Sequence, residues 1–392
     1  MGKPCFRKHV IGELVNAVAD GQMNTFCGIG DFNADGKPDF AVCGRNGEMA
    51  WFENGGTEAP WKKHHIAHVV RQECGGRAID LTGNGFPDII NGSDWKNDEM
   101  SWWENPGDDR EWKRHLIAKT GQGQQHDTML APIKNDGQNY LIFTNQIPET
   151  TIFCVPIPSD PYQSPWPGLE VIAKGKTLPN PHQQTGVQPD EGLAVGDVDN
   201  DGKLELVCGV SWYKWRNGGW ECHQFTAENY ITNKIAVADI DRDGKNEILL
   251  SEGDAWIYGK SEGGKLAWFK PQEECYDGIW TEHIVETGLL DAHSIAVADL
   301  CGNGYPDIFV GEIGACRGDS EDYAVRPPRL MVYENDGTGN FTTRYIIDEG
   351  TGIHEAVLTD MTGDGTLDIV GKPLHGPEKW SLHVWFNKSL DK

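Results

Sequence analysis

A nine-residue acidic signature returns along the whole chain and leaves few folds open to it. It reads Asp-x-(Asp/Asn/Thr)-x-(Asp/Asn)-Gly-x-x-(Asp/Glu), with an apolar strand-like run on each side. Six clear copies begin at Asp31, Asp80, Asp197, Asp239, Asp299 (with Cys301 at the third position) and Asp360. A worn copy, Pro132-Ile-Lys-Asn-Asp-Gly137, fills the gap between the second and third, which makes seven. A regular repeat of this kind is one supersecondary unit that buries its apolar face only against neighbouring copies.

A second signature follows the first. It is an aromatic strand, as in Met49-Ala-Trp-Phe-Glu-Asn54, Met100-Ser-Trp-Trp-Glu-Asn105, Leu266-Ala-Trp-Phe269 and Leu330-Met-Val-Tyr-Glu-Asn335. An outer strand of pattern Trp-x-x-His comes next, at Trp61–His64, Trp112–His115, Trp220–His223 and Trp280–His283. Four short strands per unit make one propeller blade. The last unit stops at its third strand, Leu382–Asn387, while Phe6-Arg-Lys-His9-Val-Ile11 has the outer-strand pattern ahead of the first unit. The sequence therefore predicts an all-β, seven-bladed β-propeller over residues 1–392, a single domain whose N-terminal strand completes the last blade and removes an open sheet edge.

Composition agrees with a turn-rich folded chain: 48 Gly supply turns, and 15 Trp exclude a disordered one. With 34 Lys and Arg against 60 Asp and Glu, the net charge of −26 argues against nucleic acid and anionic lipid as partners. No apolar run is long enough to span a membrane. The start, Met1-Gly-Lys-Pro-Cys-Phe, has no apolar leader, so a cytoplasmic location is expected, or a secreted one if a leader has been removed. Ten cysteines without a CxxC pair read as free thiols, several of them in strands, in a reducing compartment.

These repeats resemble the FG-GAP/VCBS family, and the resemblance covers essentially the whole chain. It implies the propeller firmly and the function weakly, because the family spans adhesion heads, lectins and sugar-acting lyases and dehydratases. The acidic signatures resemble the Ca²⁺ loops of integrin-type propellers, with ligands at positions 1, 3, 5 and 9 and Gly at 6 for the sharp turn. Best equipped are Asp31/Asn33/Asp35/Asp39, Asp197/Asp199/Asp201/Glu205 and Asp239/Asp241/Asp243/Glu247. Structural Ca²⁺ is expected there; the alternative is a set of self-bonded Asx turns. Loops with Thr82, Cys301 or Thr362 at position 3 have lost a strong ligand.

The residue six before each signature falls at the start of an innermost strand, near the axis. These positions hold Thr25, Cys74, His126, Glu191, Asn233, His293 and His354. His126, His293, His354 and Glu191 form a candidate site for a divalent ion such as Zn²⁺, Mn²⁺, Mg²⁺ or Ca²⁺. The alternative is a ring bonded to channel water. The outer-strand histidines 9, 64, 115, 223 and 283 are read as structural. Loops expected at the same mouth carry Arg71, Trp95, Lys96, Trp212, Tyr213, Trp256, Tyr258, Arg317, His182 and His375, together with Glu73, Asp127, Asp190 and Asp254. Aromatic and charged side chains together suit a saccharide, whose C–H faces stack while its hydroxyls hydrogen-bond.

The chain resembles the propeller module of aldos-2-ulose dehydratase and, more distantly, propeller-type polysaccharide lyases. That implies β-elimination on a keto-sugar or a uronate-containing saccharide, with a metal or Arg71 and Arg317 as electrophile and an axial His or Tyr213 as base. Trp95, Lys96, Trp212, Trp256, Tyr258, Arg317 and His182 are then substrate-binding candidates. A non-catalytic lectin or adhesion module is the competing reading. A glycoside hydrolase using Asp190/Glu191 and Asp127 is the third.

Overall fold

The computed structural model describes residues 3–18, 21–177, 188–272, 276–315 and 322–389. Its strands form seven antiparallel sheets of four strands each, arranged as a propeller. The first blade runs Asn24–Gly30, Asp39–Gly44, Asn46–Glu53 and Lys62–Val70, from the axis outward. Each acidic signature joins an innermost strand to the second strand. Among the described residues no helix is long and apolar enough to cross a membrane.

Both faces of every blade are covered, so apolar residues run continuously in the middle strands. The core divides into seven clusters, one between each pair of adjacent blades, and the seventh links the last blade to the first. Closure is as expected: Phe6–Glu13 pairs antiparallel with Ser381–Asn387, from Phe6 opposite Asn387 to Glu13 opposite Ser381.

The outer-strand signature has two structural tasks. At Trp61, Trp112 and Trp280 the Trp enters the core and ties its backbone to the preceding blade, as in Trp61 N–H to Ile11 O (2.7 Å) and Trp280 N–H to Phe225 O (2.7 Å), whereas Trp220 is half-buried and pairs with Trp215 of its own blade. The His of the signature stacks on the Trp of the third strand, with ring centroids 3.9 Å apart for Trp51–His64 and 4.0 Å for Trp268–His283. The Asn that ends the third strand is a staple between blades. Asn54, Asn105 and Asn335 donate from Nδ2 to Met361 O, Phe32 O and Ile240 O of the preceding blade, at 2.8–2.9 Å.

Two sequence expectations fail here. Trp212 and Tyr213 belong to the strand Ser211–Arg216, because only Gly209 and Val210 separate it from Glu205–Cys208. Neither side chain reaches the mouth. Trp212 is buried between the fourth and fifth blades and stacks on His223 at 4.1 Å. Tyr213 is buried between the third and fourth blades, where desolvation keeps its phenol protonated, so it is not a base at the mouth. His182 and Arg317 lie outside the described residues.

The acidic loops take the expected shape. In each clear copy the first Asp accepts N–H groups from within the turn, as Asp31 does from Asp35 (2.9 Å) and Gly36 (2.8 Å). That is the Asx-turn arrangement, and it is present whether or not position 3 carries a strong ligand. In the first loop the remaining oxygens are also drawn to backbone. Asn33 Oδ1 accepts Asp35 N–H at 3.1 Å, Asp35 Oδ1 accepts Lys37 N–H at 2.9 Å, and Asp39 spends both oxygens on Phe32 and Asn54 N–H groups. Asn33 is a turn acceptor in this loop, and Asp31, Asp35 and Asp39 do not form a group among the described residues whose ligand oxygens lie within 4.8 Å of one another. Only the second and third well-equipped loops keep carboxylates close enough together to hold a cation: Asp197, Asp199 and Glu205 in one, and Asp239, Asp241 and Asp243 in the other.

Candidate functional site

The innermost strands converge at their starts, and this brings three of the seven axial residues into one buried layer. Ligand nitrogens of His126, His293 and His354 lie within 4.8 Å of one another. The His293 and His354 rings stack with centroids 4.1 Å apart, and His126 stands 5.8 and 5.9 Å from them. Glu191 joins the layer from just ahead of its strand. Its Oε1 is 2.8 Å from His293 Nε2, and its Oε2 is 3.5 Å from His126 Nε2.

The opposite ring nitrogens are already engaged. His126 Nδ1 faces Asp127 Oδ1 at 2.8 Å, and His293 Nδ1 faces the carbonyl oxygen of His354 at 2.8 Å. Engagement of Nδ1 by a carboxylate or a carbonyl is the outer-shell arrangement usual at metal-binding histidines, and Nε2 of both rings is turned to Glu191. His354 Nδ1 is buried without a hydrogen-bond partner. Burial, reinforced by the neighbouring His293 and Lys372, pushes the His354 pKa well below the ordinary value and keeps the ring neutral.

Charge within the layer is balanced. Lys234 Nζ lies 2.8 Å from Glu191 Oε1 and 2.9 Å from Asp127 Oδ1, and Gln146 Nε2 donates to Glu191 Oε2 at 2.5 Å. Burial alone would raise the Glu191 pKa, but His126, Lys234 and His293 outweigh it and hold the carboxyl well below its usual range. Burial also opposes a charge on His126, yet Glu191 and Asp127 prevail and raise its pKa.

The layer is shared by two cavities. On one side a cavity of about 450 Å³ is lined by His126, Glu191, His293 and His354, with Asp254, Tyr258, Trp95 and Arg45 on its walls. On the other, about 570 Å³ of axial channel reaches the same histidines between Asp127, Lys234 and the apolar inner strands. The first is the mouth. The Arg45 guanidinium sits 4.4 Å over the Trp95 ring and also pairs with Glu73 at 2.9 Å, which fixes the indole. Asp254 forms a second tight group with Glu191 and His293. Its pKa is raised to about 7, chiefly by burial and despite His293. Tyr258 keeps its proton because of burial and the adjacent Asp254.

Of the mouth residues expected from sequence, Trp95, Tyr258 and His375 line this cavity and Arg71, Lys96 and Trp256 do not. Arg71 turns to Asp94 at 3.4 Å, and Lys96 is exposed. The loop Gly253–Gly263 presents Ile257 and Tyr258, while the Trp256 backbone N–H is held by Asp291 at 2.7 Å. Asp190 is buried, accepting the N–H groups of Glu191 (2.8 Å) and Asn233 (3.3 Å). In that position it caps the chain entering the innermost strand of the fourth blade. Sequence reasoning gave no role to Lys234, Gln146, Arg45 or Asp291. Lys234 directly follows the axial Asn233, and that adjacency was the one available signal.

Residues 31–90, 197–250 and 317–371 match the family model of FG-GAP-like repeats. A comparison with curated protein sequences returns no match. Among solved structures, the V. cholerae biofilm matrix protein Bap1 is similar at 12% identity and TM-score 0.52, covering 97% of this chain and 91% of its own. BBS1N in complex with ARL6DN is similar at 8% identity and TM-score 0.52, covering 98% of both chains. The rhamnogalacturonan lyase YesW is similar at 11% identity and TM-score 0.49, covering 97% of this chain and 75% of its own. At these identities the likeness is one of fold.

Proposed function

We propose that this propeller of FG-GAP-like repeats is a carbon–oxygen lyase acting on a saccharide, with a divalent ion at the axial layer and the reaction in the mouth cavity. One observation carries the reading. His126 and His293 are both fixed through Nδ1 and both aim Nε2 at Glu191, and a ring nitrogen of His354 lies within 4.8 Å of theirs. Three imidazoles and one carboxylate suit Zn²⁺ or Mn²⁺. When bound, the ion supplies Lewis acidity toward a carbonyl or carboxylate oxygen.

The chain's own groups do the rest. Trp95, braced by Arg45, offers a stacking face for a sugar ring. Asp254, beside Glu191 and His293, takes the proton α to the carbonyl or carboxylate. Tyr258 on the same wall keeps its phenolic proton and can give it to the departing β-oxygen. The C–H pair becomes the new double bond as the C–O bond breaks.

The test is the ultraviolet absorbance of an unsaturated product from keto-sugars and uronate-containing saccharides. His293→Ala/His354→Ala should lower the rate by about 10²–10³ or more, the usual cost of a lost electrophile, with the circular dichroism of the parent retained. Parent-level turnover in that variant would remove the site from the chemistry. A second reading, a non-catalytic saccharide-binding propeller, is favoured by Lys234, which balances Glu191 and Asp127 without any ion. Saturable glycan binding by the parent, with no product from any saccharide, would establish that reading instead.

A further inference from the structure

The acidic loops divide into two kinds according to the residue at position 9. Where it is Asp, both carboxylate oxygens are consumed by backbone: Asp39 accepts Phe32 N–H (2.9 Å) and Asn54 N–H (2.8 Å), and Asp88, Asp307 and Asp368 repeat this. Where it is Glu, the side chain is one methylene longer and the third strand lacks the stapling Asn. Glu205 Oε2 accepts Val198 N–H at 2.9 Å and Glu247 Oε2 accepts Ile240 N–H at 2.8 Å. Their Oε1 atoms are buried, turned into the loop and without a hydrogen-bond partner.

In both Glu loops the third strand brings a lysine to the centre. Lys214 Nζ contacts Asp199 and lies 2.7 Å from Asp201 and 3.6 Å from Glu205. Lys270 Nζ contacts Asp241 and lies 2.7 Å from Asp243 and 3.9 Å from Glu247. Strand pairing makes the two lysines equivalent, since each follows the residue opposite the one after position 9 (Tyr213 opposite Leu206, Phe269 opposite Ile248). The equivalent residue in the first blade is Glu53, which instead pairs with His64 at 2.9 Å on the outer strand. Glu at position 9 and Lys on the third strand therefore occur together in two blades.

We infer that Lys214 and Lys270 are the resident cations of the loops Asp197–Glu205 and Asp239–Glu247, in place of Ca²⁺. An ammonium donates along three directions, and separations of 2.7 Å are those of strong charge-assisted hydrogen bonds. Ca²⁺ in the same seat would draw oxygens to 2.3–2.6 Å and expel the lysine. The two cations exclude each other, and the tethered one is always present. This inference is independent of the lyase reading, since these loops lie away from the axial layer.

Thermal melts of the full chain in EGTA and in millimolar CaCl₂ test it. The parent should show no melting response to EGTA or CaCl₂ that Asp199→Asn/Asp241→Asn removes. Lys214→Met/Lys270→Met should melt several degrees lower in EGTA and recover in CaCl₂, because a ligand bound only by the folded state stabilises it. If that double variant fails to fold, Lys270→Met alone carries the measurement. Two results would overturn the inference: a parent melt that falls in EGTA, is restored by CaCl₂ and loses that response in Asp199→Asn/Asp241→Asn, or lysine variants that melt like the parent in EGTA.

Discussion

Ring closure rests on one short strand, and Ile11 is the residue through which to test it. The register of Phe6–Glu13 against Ser381–Asn387 slips between Val10 and Gly12, so Ile11 sits on a bulge. The bulge turns its side chain into the cluster of Phe40, Phe52, Val370, Leu382 and Val384, between the last and first blades. Its carbonyl also accepts Trp61 N–H at 2.7 Å. Ile11 is 0% exposed, whereas Val10 beside it is 45% exposed. Truncating a fully buried Ile to Ala costs about 2–5 kcal/mol, a large part of the ~5–15 kcal/mol that holds a typical domain. Val10→Ala should cost about 0.5 kcal/mol or less. Urea unfolding followed by Trp fluorescence compares the two. A large midpoint loss is expected for Ile11→Ala and almost none for Val10→Ala. Equal midpoints would mean that the N-terminal strand does not pack as the closing element.

Two further outcomes follow from the same architecture. Asn335→Ala removes donors to Ile240 O and Pro306 O and an acceptor for Gly337 and Gly339, all around a fully buried side chain. It should destabilise by about 2–4 kcal/mol and lower the melting temperature, and Asn335→Asp, which keeps the acceptor but not the donor, should not rescue it. Glu378 joins the closing strand to the last blade through Lys8 (2.7 Å) and His383 (3.2 Å). The nearby His383 imidazole leads in holding its pKa below the usual range, against burial and with help from Lys8 and Thr351. A depressed carboxyl contributes stability above its unfolded pKa and loses it as the pH falls. Glu378→Gln should therefore be less stable than the parent at neutral pH and converge with it in acid denaturation.

Much of this is legible in the chain before folding. The acidic signature marks the turn after every innermost strand, so counting back a fixed distance reaches the same height in every blade. That is why His126, His293, His354 and Glu191 come up together. The approach fails where a middle strand reads as a loop. Trp212 and Tyr213 look like mouth aromatics because both faces of a blade are buried, and a doubly buried strand shows no alternation to betray it. Asn33 shows a different limit: its spacing fits a ligand position and equally an Asx turn, in which its Oδ1 accepts the Asp35 N–H. Groups brought in by tertiary geometry alone leave no sequence signal: Lys234 between Glu191 and Asp127, and Arg45 over Trp95. The lysines in the Glu loops are hidden for the same reason. Lys214 stands fifteen residues from Asp199 and meets it only once the strands pair.

The axial layer is the centre of the functional account, and anomalous X-ray scattering from crystals soaked in Zn²⁺ or Mn²⁺ tests it most directly. The account predicts one strong peak per chain, bounded by His126, His293, His354 and Glu191 and absent from His293→Ala/His354→Ala crystals. Ordered crystals of the parent with no anomalous peak inside that ring would contradict it.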